Sequence, residues 1–191
     1  MKVSFPHLGQ LYIAMKAMFE SVNVETIVPP FSTRRTMSLA TQYSPEGLCL
    51  PYKLTLGNMI EAAETGADTL ITIGGFNTCR MGYYHKLQES ILHDLGYYPE
   101  IIAIGLDNNK FGGFVGMLKY LSNNSNMAKI ISAFWFGLKK MTVLDDFEIL
   151  ANDIRPVEKI TGSTSRLYRK AVKAVDDASG FGSLRRVSRE Y

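Results

Sequence analysis

The chain has 191 residues, of which 46% are hydrophobic and 20% are charged, a balance typical of a soluble globular protein with one core. Its net charge of +3 gives no reason to expect a nucleic-acid partner. Two cysteines argue against a disulfide framework and fit a reducing cytoplasm. Pro6 interrupts the N-terminal segment, so we expect no signal peptide, and no apolar run approaches the ~20 residues that cross a membrane.

The first half of the chain alternates between strand and helix patterns. Short apolar and β-branched runs predict four strands, at 2–6, 25–28, 69–73 and 100–104. Apolar residues at helical spacing predict the helices between and after them, at 8–21, 33–40, 54–64 and 80–95. Such alternation with short connections predicts an α/β fold with an open parallel four-stranded sheet, flavodoxin- or Rossmann-like, in the order 2-1-3-4.

The second half follows a different pattern. A glycine-rich loop over 107–116 precedes a long amphipathic helix that begins at Met127, and Pro156 stops this segment before one more helical pattern. Residues 151–191 hold nine Lys/Arg and five Asp/Glu, which suits either a solvated helix face or an anion-binding surface.

These patterns predict three segments. We expect an α/β domain over 1–121 that carries both cysteines, and a helical extension over 122–179 that packs on the sheet. Residues 180–191 are rich in glycine and arginine without a core pattern, so we expect a flexible tail.

Both cysteines precede helical patterns. Cys49 lies two residues before Pro51, and Cys79 follows the clearest buried-strand pattern. The positive end of a helix dipole and a nearby Lys53 or Arg80 lower the pKa of a thiol and favour the thiolate, which ligates metals or attacks electrophiles. The separation is not that of a zinc ribbon or a thioredoxin motif, and an iron–sulfur cluster needs four ligands, so further ligands must come from elsewhere. Buried structural thiols are the alternative.

The predicted strand order places a ligand crevice between strands 1 and 3, where the order reverses. The loops that enter it carry His7 and Cys79. His7 is a candidate cofactor-binding residue there, and a hydrogen bond at a helix start is its alternative role. The loop from Gly112 to Gly116 could hold a phosphate on its amides, although its spacing also suits a simple turn.

Five motifs in order along the chain resemble the 2-hydroxyacyl-CoA dehydratase family. The closest resemblance is to the activase-related branch of these 2-hydroxyglutaryl-CoA dehydratase-like proteins, described as CoA-substrate-specific enzyme activases. The likeness runs from residue 2 to about 105 and weakens toward 175. The motifs are Lys2-Val-Ser-Phe-Pro-His-Leu-Gly9, Tyr43-Ser-Pro-Glu46, Cys49-Leu-Pro-Tyr-Lys53, Leu56-Gly-Asn58 and Cys79-Arg-Met-Gly-Tyr-Tyr84.

The resemblance implies oxygen-sensitive [4Fe-4S] chemistry with Cys49 and Cys79 as cluster ligands. We expect Lys53 and Arg80 to stabilise the anionic cluster as neighbouring cations. In the dehydratases, an ATP-dependent activator protein injects one electron, and the cluster-bearing subunits then remove water from a 2-hydroxyacyl-CoA through a ketyl radical. The resemblance therefore implies a lyase that works only with a partner subunit, on acyl-CoA, with a cluster held in one chain or shared with another.

Two departures from the family shape the expected partners. The chain has Asn77-Thr78 where the family has Gly-Pro, and it lacks the family's second α/β half. A non-catalytic interaction or scaffold domain with free thiols is therefore the competing hypothesis.

We also expect a homo-oligomer or a second dehydratase-like half to cover part of an apolar helix face. That face is formed by Ile130, Ile131, Phe134, Trp135 and Leu138, with Leu167, Ala171 and Val175.

Overall fold

The computed structural model describes residues 1–74, 79–105, 114–123 and 125–191. Its centre is a parallel sheet in the order β2-β1-β3-β4, which confirms the predicted α/β fold and strand order. The strands are β1 Lys2–Ser4, β2 Glu25–Ile27, β3 Thr69–Ile73 and β4 Glu100–Ile104.

The register brings all four carboxyl ends to one edge of the sheet. Val3 of β1 lies opposite Thr26 on one side and Thr69 on the other, while β3 and β4 pair along their whole length. The first strand ends at Ser4 rather than at Pro6, because proline has no N–H to donate to the neighbouring strand.

Helices cover both faces of this sheet. They are α1 Leu11–Ser21, α2 Arg34–Tyr43, α3 Leu50–Glu64, α4 Tyr84–Asp94, α5 Phe114–Leu121, α6 Met127–Ile154, α7 Ser163–Asp177 and α8 Phe181–Glu190. Along β3, Ile71 packs in the core of α1, α5 and α6, and the preceding Leu70 packs in the core of α3 and α4. This alternation follows from the two-residue period of a strand. No described helix has the length and apolarity that a membrane span requires.

A third core joins the later helices to the outer side of α1. Ile13 of α1, Phe147 of α6 and Val175 of α7 meet there and are each less than 9% exposed. The end of the chain belongs to the same core, since Leu184 of α8 is 1% exposed. The sequence shows no core pattern over 180–191, but the structure places Leu184 in this core and packs Val187 and Tyr191 against it.

One further expectation needs correction, and the face predicted for association is in part the chain's own core. Phe114, Val115 and Gly116 lie in the first turn of α5 and not in a loop, while Gly112 and Gly113 are outside the described residues. Within the apolar face predicted for association, Ile130, Ala171 and Val175 are at most 3% exposed and belong to the chain's own core. Trp135 and Leu167 are 61% and 54% exposed.

Candidate functional site

Cys49 caps the N-terminus of α3. Pro51 occupies the first turn of this helix, where its missing N–H costs nothing because no intrahelical acceptor is present. The carbonyl of Cys49 accepts the first hydrogen bond of the helix, from the N–H of Lys53 at 3.2 Å. The side chain of Cys49 is therefore exposed at the positive end of the helix dipole.

Tyr84, the first residue of α4, contacts this thiol. Its hydroxyl lies 2.8 Å from the Cys49 sulfur. This hydrogen bond is the main cause of a lowered pKa of Cys49, to which backbone N–H donors and the charge of Arg80 add. The same contact raises the pKa of Tyr84. Stabilisation of the thiolate by a phenol donor therefore makes Cys49 the more acidic partner of the pair.

Cys79 lies close enough to Tyr84 for the two charges to interact. It precedes a 3-10 turn over Arg80–Tyr83, where its carbonyl accepts a hydrogen bond from the N–H of Gly82 at 3.3 Å. Its thiol is free and exposed, and its negative charge contributes to the raised pKa of Tyr84. Cys49, Tyr84, Arg80 and Cys79 thus form one group at the starts of α3 and α4.

A buried layer holds Tyr84 in position. The ring of Tyr52, which is fully buried, packs edge-to-face on the ring of Tyr84 with centroids 4.7 Å apart. One turn farther along each helix, the amide of the buried Gln88 donates to the hydroxyl of Thr55 at 2.8 Å. Burial also raises the pKa of Tyr52, so this phenol stays protonated beneath the thiol group.

His7 belongs to a different neighbourhood. Its Nε2–H donates to the carbonyl of Pro29 at 2.6 Å, and its ring stacks on Phe31 with centroids 4.8 Å apart. Its backbone N–H donates to Asn58 at 3.1 Å. Pro29 and Phe31 follow β2, whereas Cys79 follows β3, so the contacts of His7 lie on the opposite side of β1 from Cys79. The sequence analysis gave hydrogen bonding as the alternative to cofactor binding for His7, and these contacts fit that alternative.

The crevice where the strand order reverses is apolar. A cavity of about 210 Å³ opens at the carboxyl ends of β1, β3 and β4, and Phe5, Leu8, Met15, Ile73 and Phe114 are among its lining residues. Between Gly74 and Cys79 the connecting residues, including Asn77 and Thr78, lie outside the described part of the chain.

The described residues contain fewer cysteines than a [4Fe-4S] cluster would require. Such a cluster takes about four cysteine ligands, and within ranges 1–74, 79–105, 114–123 and 125–191 no group of three or more His, Cys, Asp or Glu side chains could hold a metal. Both cysteines of the chain are free and exposed. A cluster would therefore need its other ligands from a second chain or from groups other than cysteine.

Sequence reasoning missed the importance of Tyr84. The residue closes the Cys79–Tyr84 motif, but its contact with Cys49 spans 35 positions and has no periodic signal. The only available signal was the presence of a phenol in the same motif as a candidate ligand.

The chain matches no protein-family model, no curated protein and no solved structure. The resemblance carried by the five motifs therefore stays a prediction.

Proposed function

We propose that this chain binds a [4Fe-4S] cluster through Cys49 and Cys79, as a cytoplasmic half-protein related to the 2-hydroxyacyl-CoA dehydratases. The observation that carries the proposal is the pair of exposed thiols around Tyr84 at the starts of two neighbouring helices. Two of the five ordered motifs that carry the family resemblance contain these residues. The cluster would serve low-potential electron transfer in the dehydration of an acyl-CoA, with a partner subunit and an ATP-dependent activator.

The surroundings of the thiols suit an anionic cluster. The Tyr84 hydroxyl is within hydrogen-bond distance of the Cys49 sulfur, and hydrogen bonds to sulfur ligands tune the reduction potential of such clusters. Arg80 adds positive charge, and Lys53 lies one turn into α3. When bound, the group supplies one-electron chemistry; the protein supplies thiolates, a phenol donor and a cation.

The iron content of the reconstituted protein tests how the ligand set is completed. Anaerobic incubation with iron and sulfide should give a brown protein with broad visible absorbance. A cluster shared by two copies of the chain contains about two irons per chain, whereas a cluster with ligands from one chain contains about four. Iron and sulfide analysis against protein concentration distinguishes these two arrangements.

Removal of either thiol should abolish the colour. We expect Cys49→Ser and Cys79→Ser to stay colourless after reconstitution, because each removes one of two protein ligands. Tyr84→Phe is the matched control: it keeps both thiols and removes only the hydrogen bond, so it should still bind iron and sulfide. A Cys49→Ser/Cys79→Ser double variant that reconstitutes like the wild type would contradict the proposal.

A non-catalytic interaction domain is the second candidate. It is favoured by the incomplete ligand set, since the described side chains include no metal-holding group of three or more. Under this hypothesis the wild-type protein stays colourless after reconstitution with iron and sulfide. The same experiment therefore separates the two candidates.

A further inference from the structure

The outer side of α6 and α7 carries a cluster of exposed apolar side chains near the turn between these helices. Its members are Ile149, Leu150, Ile154, Val157, Ile160 and Leu167, all between 42% and 75% exposed. A groove runs between the two helices at this place; Leu150, Ile154 and Leu167 are among its lining residues, and so is Tyr191, which follows α8. Exposed apolar clusters of this kind mark interaction surfaces.

The two helices run antiparallel along the groove. Near the middle of α6, the ammonium of Lys140 donates to the carbonyl of Asp176, at the end of α7, at 2.9 Å. Beyond the end of α6, the guanidinium of Arg155 lies over the ring of Tyr168, 5.8 Å from its centroid. The start of α7 is therefore level with the end of α6.

The α6 edge of the groove is acidic. Asp146 lies four residues before Leu150, and Asp153 lies three residues after it. Residues with this spacing share one line along a helix. Both carboxylates are exposed and stand beside the apolar lining that Leu150 provides.

The α7 edge is basic. Arg166, Lys170 and Lys173 are exposed and have the same spacing of four and three residues, so they also share one line. Lys170 lies three residues after Leu167, on the same side of the helix. Within the described ranges, none of these three cations is in an ion pair, and neither are Asp146 and Asp153.

The two charged edges match in length and level. Each charged edge spans seven residues, from Asp146 to Asp153 on α6 and from Arg166 to Lys173 on α7. This is about 10 Å of helix at 1.5 Å per residue. Because the helices are antiparallel, Asp153 is level with Arg166, and Asp146 is level with Lys173.

We propose that this groove is the interface of a homodimer in which two copies pack α6 and α7 face to face. A two-fold axis parallel to the helices sets α6 of each copy over α7 of the other, so that four helices surround one apolar core. Each acidic edge then meets a basic edge at the same level. An axis perpendicular to the helices would instead set α6 on α6 and oppose like charges.

The mixed charge of the groove favours a second copy over other occupants. A uniformly anionic surface, such as an acidic membrane, would face Asp146 and Asp153, and a uniformly cationic partner would face Arg166 and Lys170. A surface with one acidic and one basic edge is complementary to itself under two-fold symmetry. This inference uses neither cysteine, so it stands or fails independently of the cluster.

Charge reversal tests the interface. We expect the wild-type chain to have twice its mass of 21.3 kDa in light scattering at micromolar concentration. Asp146→Lys/Asp153→Lys makes both edges basic, and Arg166→Glu/Lys173→Glu reverses the two α7 cations that are level with these aspartates, so each variant alone should be monomeric. Their equimolar mixture should form a dimer again, because each reversed edge then meets an opposite charge.

Matched controls reverse two exposed charges away from α6 and α7. Glu46→Lys/Asp94→Lys and Arg34→Glu/Lys119→Glu change the net charge by the same amounts and should remain dimeric. Far-ultraviolet circular dichroism checks that all variants are folded. A monomeric wild type, reversed variants that stay dimeric, or a mixture that stays monomeric would each overturn the proposal.

Discussion

Tyr84 is the residue that sets the reactivity of the Cys49 thiol. The two side chains come from different helices and meet at 2.8 Å, beside the Tyr52 and Gln88 contacts that hold α4 against α3. The contact lowers the pKa of Cys49. Thiolate, the reactive form, is therefore present at lower pH than in an ordinary cysteine.

Alkylation kinetics test this effect without metal. In a Cys79→Ser background, the rate at which Cys49 reacts with iodoacetamide should rise with pH. The pH at which this rate is half-maximal should lie below the pKa of a free thiol. Tyr84→Phe should shift this midpoint to higher pH and slow the reaction at neutral pH, because the phenol donor is lost. Tyr98→Phe, on a tyrosine that is 77% exposed, is the control and should change nothing. An unchanged midpoint in Tyr84→Phe would contradict the assigned cause.

At the level of elements, close packing of α2 on α3 depends on a glycine. A Cβ at Gly57 would meet the carbonyl and the methyl group of Thr36. Thr36 cannot move freely, because it is fully buried and its hydroxyl donates to Glu61 at 2.9 Å. Gly57 therefore has a packing role inside the Leu56-Gly-Asn58 motif.

We expect Gly57→Ala to destabilise the protein by about 1–3 kcal/mol, the usual cost of an overpacked contact. The measurement is the urea midpoint followed by circular dichroism. Gly47→Ala is the control, because a Cβ at Gly47 would meet no atom within 4 Å, and it should leave the midpoint unchanged or slightly raised. Equal midpoints for Gly57→Ala and the wild type would mean that α2 can shift without loss.

Local sequence signals predicted the elements that depend on local physics. Thr69–Ile73 was predicted with its observed bounds, because a β-branched run has a strong strand preference. Helix α5 was not predicted, because it is short and Gly116 in its first turn is typical of a loop. The Cys49–Tyr84 contact could not be predicted, since it depends on the packing angle of two helices. The predicted crevice location was correct in topology, but its apolar lining depends on which side chains converge there.

On the scale of the whole molecule, Lys140 connects α6 to the end of α7. It is 2% exposed, and its ammonium donates to the last turn of α7 through the carbonyl of Asp176. Burial lowers its pKa, so the folded protein binds fewer protons than the unfolded chain just below the ordinary lysine pKa. The free energy of unfolding therefore rises with pH between the lowered pKa of Lys140 in the folded protein and the ordinary lysine pKa of the unfolded chain. The hydrogen bond satisfies a helix-end carbonyl that has no donor within the helix.

The last helix completes this outer core, and its packing can be tested. Leu184 is 1% exposed among residues of α1, α6 and α7, so Leu184→Ala should destabilise the protein by about 2–5 kcal/mol through lost burial and a cavity. Arg186→Ala, two residues away and exposed, is the control and should have little effect. Urea unfolding of both variants is the measurement. If Leu184→Ala unfolds at the wild-type midpoint, α8 contributes no packing energy, and the residues from 180 onward behave as the sequence alone predicts.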